Sequence, residues 1–280
     1  MLHTRNPLAH RLVAAWPRLR LDRPIFVVGV PRSGTSIFVR NFARHHDLAH
    51  WSEAPTMWDA RYRARDTDHR WTEEQATESV IRRIENNFAY YTKWKDKSRF
   101  VNKHPRNSLR IPFLMAGWPD AHIICVQRDP HAVVWSLVCR TRKEQWRSKY
   151  PLGQFVRPPG WREIDAIPDI VERFARAVAA THETLRDDLD RCVPECQRHI
   201  VRYEDLAADC RATLARVWKS CGLSLDEETL SEVPDQLTNM NIKWRRDMNP
   251  ADIATMTPIV EPMLSDLGYT ENASIMRASA

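Results

Sequence analysis

The sequence predicts an α/β protein, a parallel sheet with helices on both faces. Three observations predict it. The apolar runs Pro24–Val30 and His122–Gln127 are near-continuous rather than alternating, as in strands covered on both sides. Such runs alternate along the chain with segments of helical periodicity. Polar clusters then follow directly on the strands, at Pro31–Ser36, Lys103-His104 and Arg128. An open parallel sheet binds its ligands outside those strand ends.

The elements are taken in chain order. Pro24–Val30 is the first strand, and Ile37, Phe38 and Phe42 mark one face of the helix that follows. Thr72-Glu-Glu-Gln75 fits a capping box. It stands ahead of a helix whose apolar face is Val80, Ile81, Ile84, Phe88 and Tyr91. Arg99–Asn102 is a short strand with Lys103-His104-Pro105 at its end, and Leu109–Gly117 reads as a helix. His122–Gln127 is a buried strand ending in Arg128-Asp129-Pro130. Proline in the first helical turn then starts the helix Ala132–Arg142. Residues 143–168 read as loop, with four prolines and two glycines. Ile170–Asp190 is a helix with Ile170, Phe174, Val178 and Leu185 on one face, and His199–Tyr203 is another strand. Leu214, Val217, Trp218 and Cys221 define the next helix. Asn249-Pro250 caps the last one, which stops at Leu267-Gly268. The organisation predicted is a basic N-terminal segment, 1–23, followed by a single domain over 24–280.

Composition narrows the function. The 42 Lys+Arg against 36 Asp+Glu give a net charge of +6, which excludes a histone-like tail or an acidic protein and suits an anionic small ligand or weak nucleic-acid binding equally. No window approaches the ~20 apolar residues needed to cross a bilayer. The N-terminal segment carries arginines throughout and no apolar core, so it reads as no secretory signal. Six cysteines occur without a C-x-x-C, and Cys192 and Cys196 lack a second half-site. The reading is a cytoplasmic protein with buried or incidental thiols and no metal site.

Glycine is scarce, with seven in 280 residues, yet Gly29 and Gly34 stand five apart directly after the first strand. Strand, glycine turn and helix together aim backbone N–H groups and a helix N-terminus at an anion. The spacing is that of G-x-x-x-x-G-K-[ST], except that Thr35 replaces the lysine. Positive charge comes instead from Arg32, and Ser33, Thr35 and Ser36 offer hydroxyl donors. The loop therefore suits a tetrahedral oxyanion rather than a metal-bridged triphosphate.

From about Pro24 to Tyr269 the chain resembles the sulfotransferases that use 3′-phosphoadenosine 5′-phosphosulfate (PAPS). Val28-Gly-Val-Pro-Arg-Ser-Gly-Thr-Ser36 is similar to their 5′-phosphosulfate loop, and Arg128-Asp-Pro with Ser136 is similar to their 3′-phosphate motif. The likeness is nearest to tyrosylprotein sulfotransferases and related bacterial enzymes. Asn102-Lys-His-Pro105 resembles their Asn-Lys-Asp-Pro, with His104 where they carry aspartate. Pro119-Asp-Ala-His-Ile-Ile, Tyr203-Glu204-Asp-Leu206 and Pro262–Tyr269 match further segments. The resemblance implies a P-loop-like sulfotransferase fold and PAPS as co-substrate, with its desulfated product PAP (adenosine 3′,5′-bisphosphate) left behind. It implies no metal requirement. Relatives are often dimers, which makes a homodimer an expectation.

Site roles follow from the same resemblance. A base 21 residues after the loop arginine falls on Glu53, and His104 is its rival, since cytosolic sulfotransferases use histidine. Lys103 with Arg32 would stabilise the leaving group. Arg32, Ser33, Gly34, Thr35 and Ser36 would hold the 5′ end, Arg128 and Ser136 the 3′-phosphate, and Tyr203 would contact the donor. Lys243, Arg245 and Arg246 could close a basic flap. The acceptor, a small molecule or a peptide, would meet loops 51–70 and 143–168. Its hydroxyl stays open between peptide tyrosine or phenol and a carbohydrate, lipid or polyketide alcohol, with an amine as a further option. A P-loop kinase or nucleoside triphosphatase is the rival class, and it predicts a loop lysine that is missing here. Basic residues spread along the chain rather than gathered in one stripe argue against nucleic acid. A membrane-surface role for the N-terminal segment rests on composition alone.

Overall fold

The computed structural model of the chain describes residues 12–58, 67–144, 152, 155–225 and 227–269. Its centre is a five-stranded sheet in the order β2-β3-β1-β4-β5, with every neighbouring pair parallel. The strands are β1 (Ile25–Val28), β2 (Leu48–Ser52), β3 (Arg99–Lys103), β4 (His122–Gln127) and β5 (Arg198–Arg202). Successive side chains on a strand point to opposite faces. Phe26, Val28, Ile123 and Cys125 accordingly face one core, with Trp58, Phe88 and Trp118. Ile25, Val27, Ile124 and Val126 face the other, with Phe38, Phe42 and Trp218. This two-sided burial explains the near-continuous apolar strands.

The helices expected from periodicity form. They are α1 (Thr35–Phe42), α3 (Glu78–Trp94), α4 (Ile111–Gly117), α5 (Pro130–Glu144), α7 (Ile170–Cys192), α9 (Cys210–Ser220) and α12 (Pro250–Asp266). A third apolar cluster joins α5, α7 and α12 through Val134, Phe174, Val178, Met256 and Val260. Asn249 caps α12 as expected, accepting from the Asp252 N–H at 2.7 Å. From the N-terminal segment, the backbone around Trp16–Leu19 lies along α3. Asn86 donates to the Trp16 carbonyl and accepts from the Leu19 N–H, at 3.1 and 3.0 Å. No helix among the described residues is long and apolar enough to cross a membrane.

Several elements differ from the sequence reading. The Thr72 capping box closes a 3-10 turn, Glu73–Gln75, and the long helix starts afresh at Glu78. Strand β2 was not among the expected elements, and its last two residues fall in the expected loop 51–70. It is a short edge strand with the mixed sequence Leu-Ala-His-Trp-Ser, so neither a continuous nor an alternating apolar run marks it. Short helices also form at α2 (Pro55–Trp58), α6 (Trp161–Asp165), α8 (Tyr203–Ala208), α10 (Glu227–Ser231) and α11 (Ile242–Asp247). The α6 turn falls inside the stretch read as loop. Residues 59–66, 145–151 and 153–154 of the two expected acceptor loops lie outside the described residues.

Candidate active site

The site begins at the loop after β1. Gly29 has φ +149°, and a Cβ there would lie 2.4 Å from the Val126 carbonyl oxygen. That close approach lets β1 and β4 deliver their ends side by side. Ser108 pins the same glycine, donating to its carbonyl at 2.7 Å and accepting from its N–H at 3.1 Å. Gly34 has φ +94°, and its Cβ would sit 2.6 Å from the Tyr203 ring. Each glycine is thus required, one by backbone and the other by an aromatic face. The first N–H groups of α1 open immediately beyond Gly34.

The β4 end supplies a cationic centre. Arg128 is buried, donates from Nε to Asn241 Oδ1 at 2.7 Å and from a terminal nitrogen to the Arg32 carbonyl at 3.0 Å. Its guanidinium carbon lies 4.5 Å from the centroid of the Tyr203 ring. Arg32, in left-handed backbone at φ +82°, donates from Nε to Ser136 Oγ at 3.1 Å. The two expected donor motifs, 104 residues apart, are therefore in contact. Burial pulls the Arg128 guanidinium below its usual range, against the raising effect of Tyr203 and Glu204.

The other half of the site stands at the ends of β2 and β3. Ser52 pairs with Lys103 in the parallel register, so the next residue, Glu53, clears the sheet edge beside the lysine. Lys103 is buried and forms an ion pair with the Glu53 carboxylate, whose side chain is 42% exposed. The lysine thus holds one oxygen of a carboxylate that solvent can still reach. Glu53 and Ala54 both have positive φ, +49° and +46°.

His104 has a different setting. It caps the 3-10 turn Pro105–Leu109, accepting from the Arg106 N–H at 3.2 Å through Nδ1. Burial holds its imidazole well below the usual histidine range, reinforced by Arg110, Arg106 and Lys103. The ring is neutral and only 2% of the residue is exposed.

Remnants of the two expected acceptor loops meet nearby. The His69 N–H donates to the Arg157 carbonyl at 3.0 Å, and Arg110 Nε donates to the His69 carbonyl at 3.2 Å. Arg110 also lies 3.9 Å from the centroid of the Trp71 ring.

Sequence reasoning missed the group that ties the β4 and β5 ends together. Glu204 is buried, and one carboxylate oxygen accepts from the Asp129 N–H at 3.1 Å and from Asn241 Nδ2. The other accepts from the Tyr269 hydroxyl at 2.5 Å. Asn241 relays this carboxylate to Arg128. The Tyr203 hydroxyl donates to the Thr238 carbonyl and accepts from the Met240 N–H, at 3.1 and 3.2 Å. Trp244 Nε1 donates to Asp129 at 3.2 Å. Residues 238–244 are thus fastened to the β4 and β5 ends by polar contacts. Of the expected flap cations, Arg245 lies over Trp244 at 4.9 Å and Arg246 pairs with Asp247. The Tyr-Glu pair at 203–204 was the one signal in the sequence; Asn241 has none.

Known proteins resemble this chain in sequence and fold. Over 290 aligned positions the chain is 24% identical to protein-tyrosine sulfotransferase 1 of Danio rerio, covering 90% of this chain and 74% of that protein. The fold resembles sulfotransferase STF9 from Mycobacterium avium, at 16% identity and a TM-score of 0.56, over 92% of this chain and 79% of the other. It also resembles mouse sulfotransferase SULT7A1, solved in complex with PAP, at 12% identity and a TM-score of 0.53, over 94% and 91% of the two chains. The profile of the Sulfotransferase family matches residues 24–227, from β1 through the glycine loop that follows it and all five strands, and the chain is a sulfotransferase of that family.

Proposed function

We propose that the enzyme transfers a sulfuryl group from PAPS to an acceptor hydroxyl, with Glu53 as base. The observation that carries this reading is the order of groups along adjacent strand ends. A carboxylate–lysine pair closes β2 and β3, the oxyanion loop closes β1, and a second cationic centre closes β4. The ends of β3, β1 and β4 span ~10 Å at the usual strand spacing, the scale of one nucleotide. Two cationic centres suit a donor phosphorylated at both 3′ and 5′ positions. Arg128 reaches the loop through Arg32, and Gly34 leaves room for Tyr203 to lie between them.

PAPS supplies an activated sulfuryl group whose S–O bond to phosphate breaks as the acceptor oxygen bonds to sulfur. The chain does the rest by positioning and charge. Glu53 takes the hydroxyl proton, a role worth roughly 10²–10⁴ in rate. Lys103 holds Glu53 in the resting site and carries the charge that stabilises the departing phosphate oxygen, together with Arg32. Thr35, Ser36 and the α1 N-terminus bind the 5′ end, while Arg128 and Ser136 read the 3′-phosphate. His104, neutral and capping its own turn, keeps Lys103 and the β3 end in place. A phenolic hydroxyl is the acceptor to test first, because its pKa near 10 places its proton within reach of a carboxylate, and the tyrosine sulfotransferase relative points the same way.

Thermal shift and turnover test the reading. PAP raises the melting temperature of the wild type, and Arg128→Ala removes the shift. Glu53→Gln loses turnover yet still binds PAP, and His104→Asn retains turnover. Equal stabilisation by ATP–Mg²⁺ and PAP would overturn the donor assignment, and full turnover by Glu53→Gln would overturn the base.

A further inference from the structure

At the opposite end of the sheet, where the strands begin, three donor atoms converge that the reaction does not use. His122 opens β4, His199 is the second residue of β5, and Cys221 ends α9. The parallel register sets Ile124 beside His199, so His122 and His199 project on the same face, one diagonal apart. His122 Nδ1 and His199 Nε2 are 2.8 Å apart, and the two ring planes differ by 12°. The Cys221 sulfur completes the group, with all three atoms within 4.8 Å of one another. His199 and Cys221 are buried, while His122 is half-buried and open to the surface.

We propose that His122, His199 and Cys221 form a structural binding site for a thiophilic cation of the Zn²⁺ class, stapling β4, the edge strand β5 and the end of α9. Two imidazoles and a thiolate are the donor set that selects such ions over Mg²⁺ or Ca²⁺. A tetrahedral zinc centre separates its nitrogens by about 3.3 Å and a nitrogen from sulfur by about 3.6 Å. The nitrogens at 2.8 Å and a sulfur within 4.8 Å of both stand close to that arrangement. Binding expels the Cys221 thiol proton to solvent. The proton now shared between the two rings moves to the outer nitrogen of whichever ring donates it, leaving both inner nitrogens as ligands. The fourth position faces the surface beside His122, where water completes the shell.

Charges around the group set its character. Arg99 donates to the backbone carbonyls of Cys221 and Arg23, at 2.6 and 3.0 Å, and its charge offsets only part of the burial that pushes the Cys221 thiol up to about 12. Arg23 and Arg216 add positive charge on the two histidines. Asp120 accepts from the Arg23 N–H at 3.0 Å, and Asp22 pairs with the Arg23 side chain. The positive balance penalises a hard dication held by neutral ligands. Only an ion that gains a thiolate bond overcomes it.

The site stands at the far end of the strands from Glu53 and Arg128, so it can be tested without turnover. Metal-free full-length protein is titrated with Co²⁺ and with Zn²⁺ under a non-thiol reductant. The expected result is one equivalent of Co²⁺ bound with a thiolate-to-cobalt charge-transfer band, and a melting temperature that climbs with the logarithm of zinc concentration. Cys221→Ser removes the band. Because a buried Cys221→Ser chain can be poorly folded, His122→Asn at the half-buried position serves as the second variant, and it weakens zinc at least about tenfold with wild-type circular dichroism. No band and no thermal shift at saturating metal would overturn the proposal. So would a band that survives in both variants, which would locate the metal elsewhere. PAP binding, measured on the same samples, reports separately on the donor site.

Discussion

Asn241→Ala tests whether the donor side works as one unit. The wild-type amide accepts from Arg128 Nε at 2.7 Å and donates to Glu204, so each of its two bonds has a charged partner. Hydrogen bonds to charged groups contribute about 1.5–3 kcal/mol. Asn241 is only half-buried and water can replace it, so the stability loss should stay near the lower figure and cost several degrees of melting temperature. Arg128 keeps its bond to the Arg32 carbonyl and its place over Tyr203 but loses its lateral hold. Re-ordering one long side chain on binding costs about 0.5–1.5 kcal/mol, which is two- to tenfold in affinity. Calorimetric titration should therefore show PAP weakened by that factor. Adenosine 5′-phosphate, lacking the 3′-phosphate, should bind as before. Equal weakening of both ligands would refute the reasoning, since it would make Asn241 a general support of the fold rather than a positioner of Arg128.

Other perturbations separate the remaining parts. Glu53→Gln should lower turnover by roughly 10²–10⁴ while leaving PAP affinity within a small factor, measured by initial rates and calorimetry. Gly34→Ala should weaken PAP by more than about tenfold, because left-handed backbone costs a β-carbon roughly 1–2 kcal/mol and the new methyl would displace Tyr203 from 2.6 Å away. Acid should destabilise the fold through its histidines. His69, His104, His122, His182 and His199 are all held below the ordinary value by burial. The unfolded chain therefore takes up protons first, so this stability is complete above about pH 6.5 and is lost as pH falls, by up to ~1.4 kcal/mol per pH unit per histidine. His122 stops contributing near its folded value of about 4. Urea midpoints measured between about pH 7 and pH 5 should fall steeply, and a flat profile would contradict the burial argument.

Much of this molecule was legible in its sequence because burial and glycine leave strong local signatures. β1 and β4 are covered on both faces, and their uninterrupted apolar runs say so. Gly29 and Gly34 are irreplaceable for steric reasons that act within a few residues of chain. Arg32 and Arg128 were visible as polar groups placed just after such runs, and Lys103 as one at the end of a short strand. β2 was not legible, since an edge strand of five mixed residues has no periodicity to show. Glu53 was reached only through family spacing. Asn241 was invisible, because its role depends on a loop folding back 113 residues from Arg128. The His122–His199–Cys221 group escaped for the same reason. Metal-ligand spacing is a property of continuous segments, and this cluster is gathered from two strands and a helix end.

The backbone supplies a further argument that these residues act together. Six non-glycine residues among those described have positive φ, and three of them are Arg32, Glu53 and Ala54. Such conformations cost on the order of 1–3 kcal/mol each and persist only where the surroundings over-determine them. The surroundings here are identifiable. Ser136 and Arg128 grip Arg32, Lys103 grips Glu53, and the Ala54 N–H closes on the Ser52 carbonyl at 2.6 Å. Relieving the turn at 53–54 with glycine would remove that cost and raise stability, yet it would also free the carboxylate from the one orientation Lys103 selects. Stability and turnover should therefore move in opposite directions in Ala54→Gly, with melting temperature up and kcat down. A variant that gained both would show that the strain at 53–54 serves folding rather than the chemistry at Glu53.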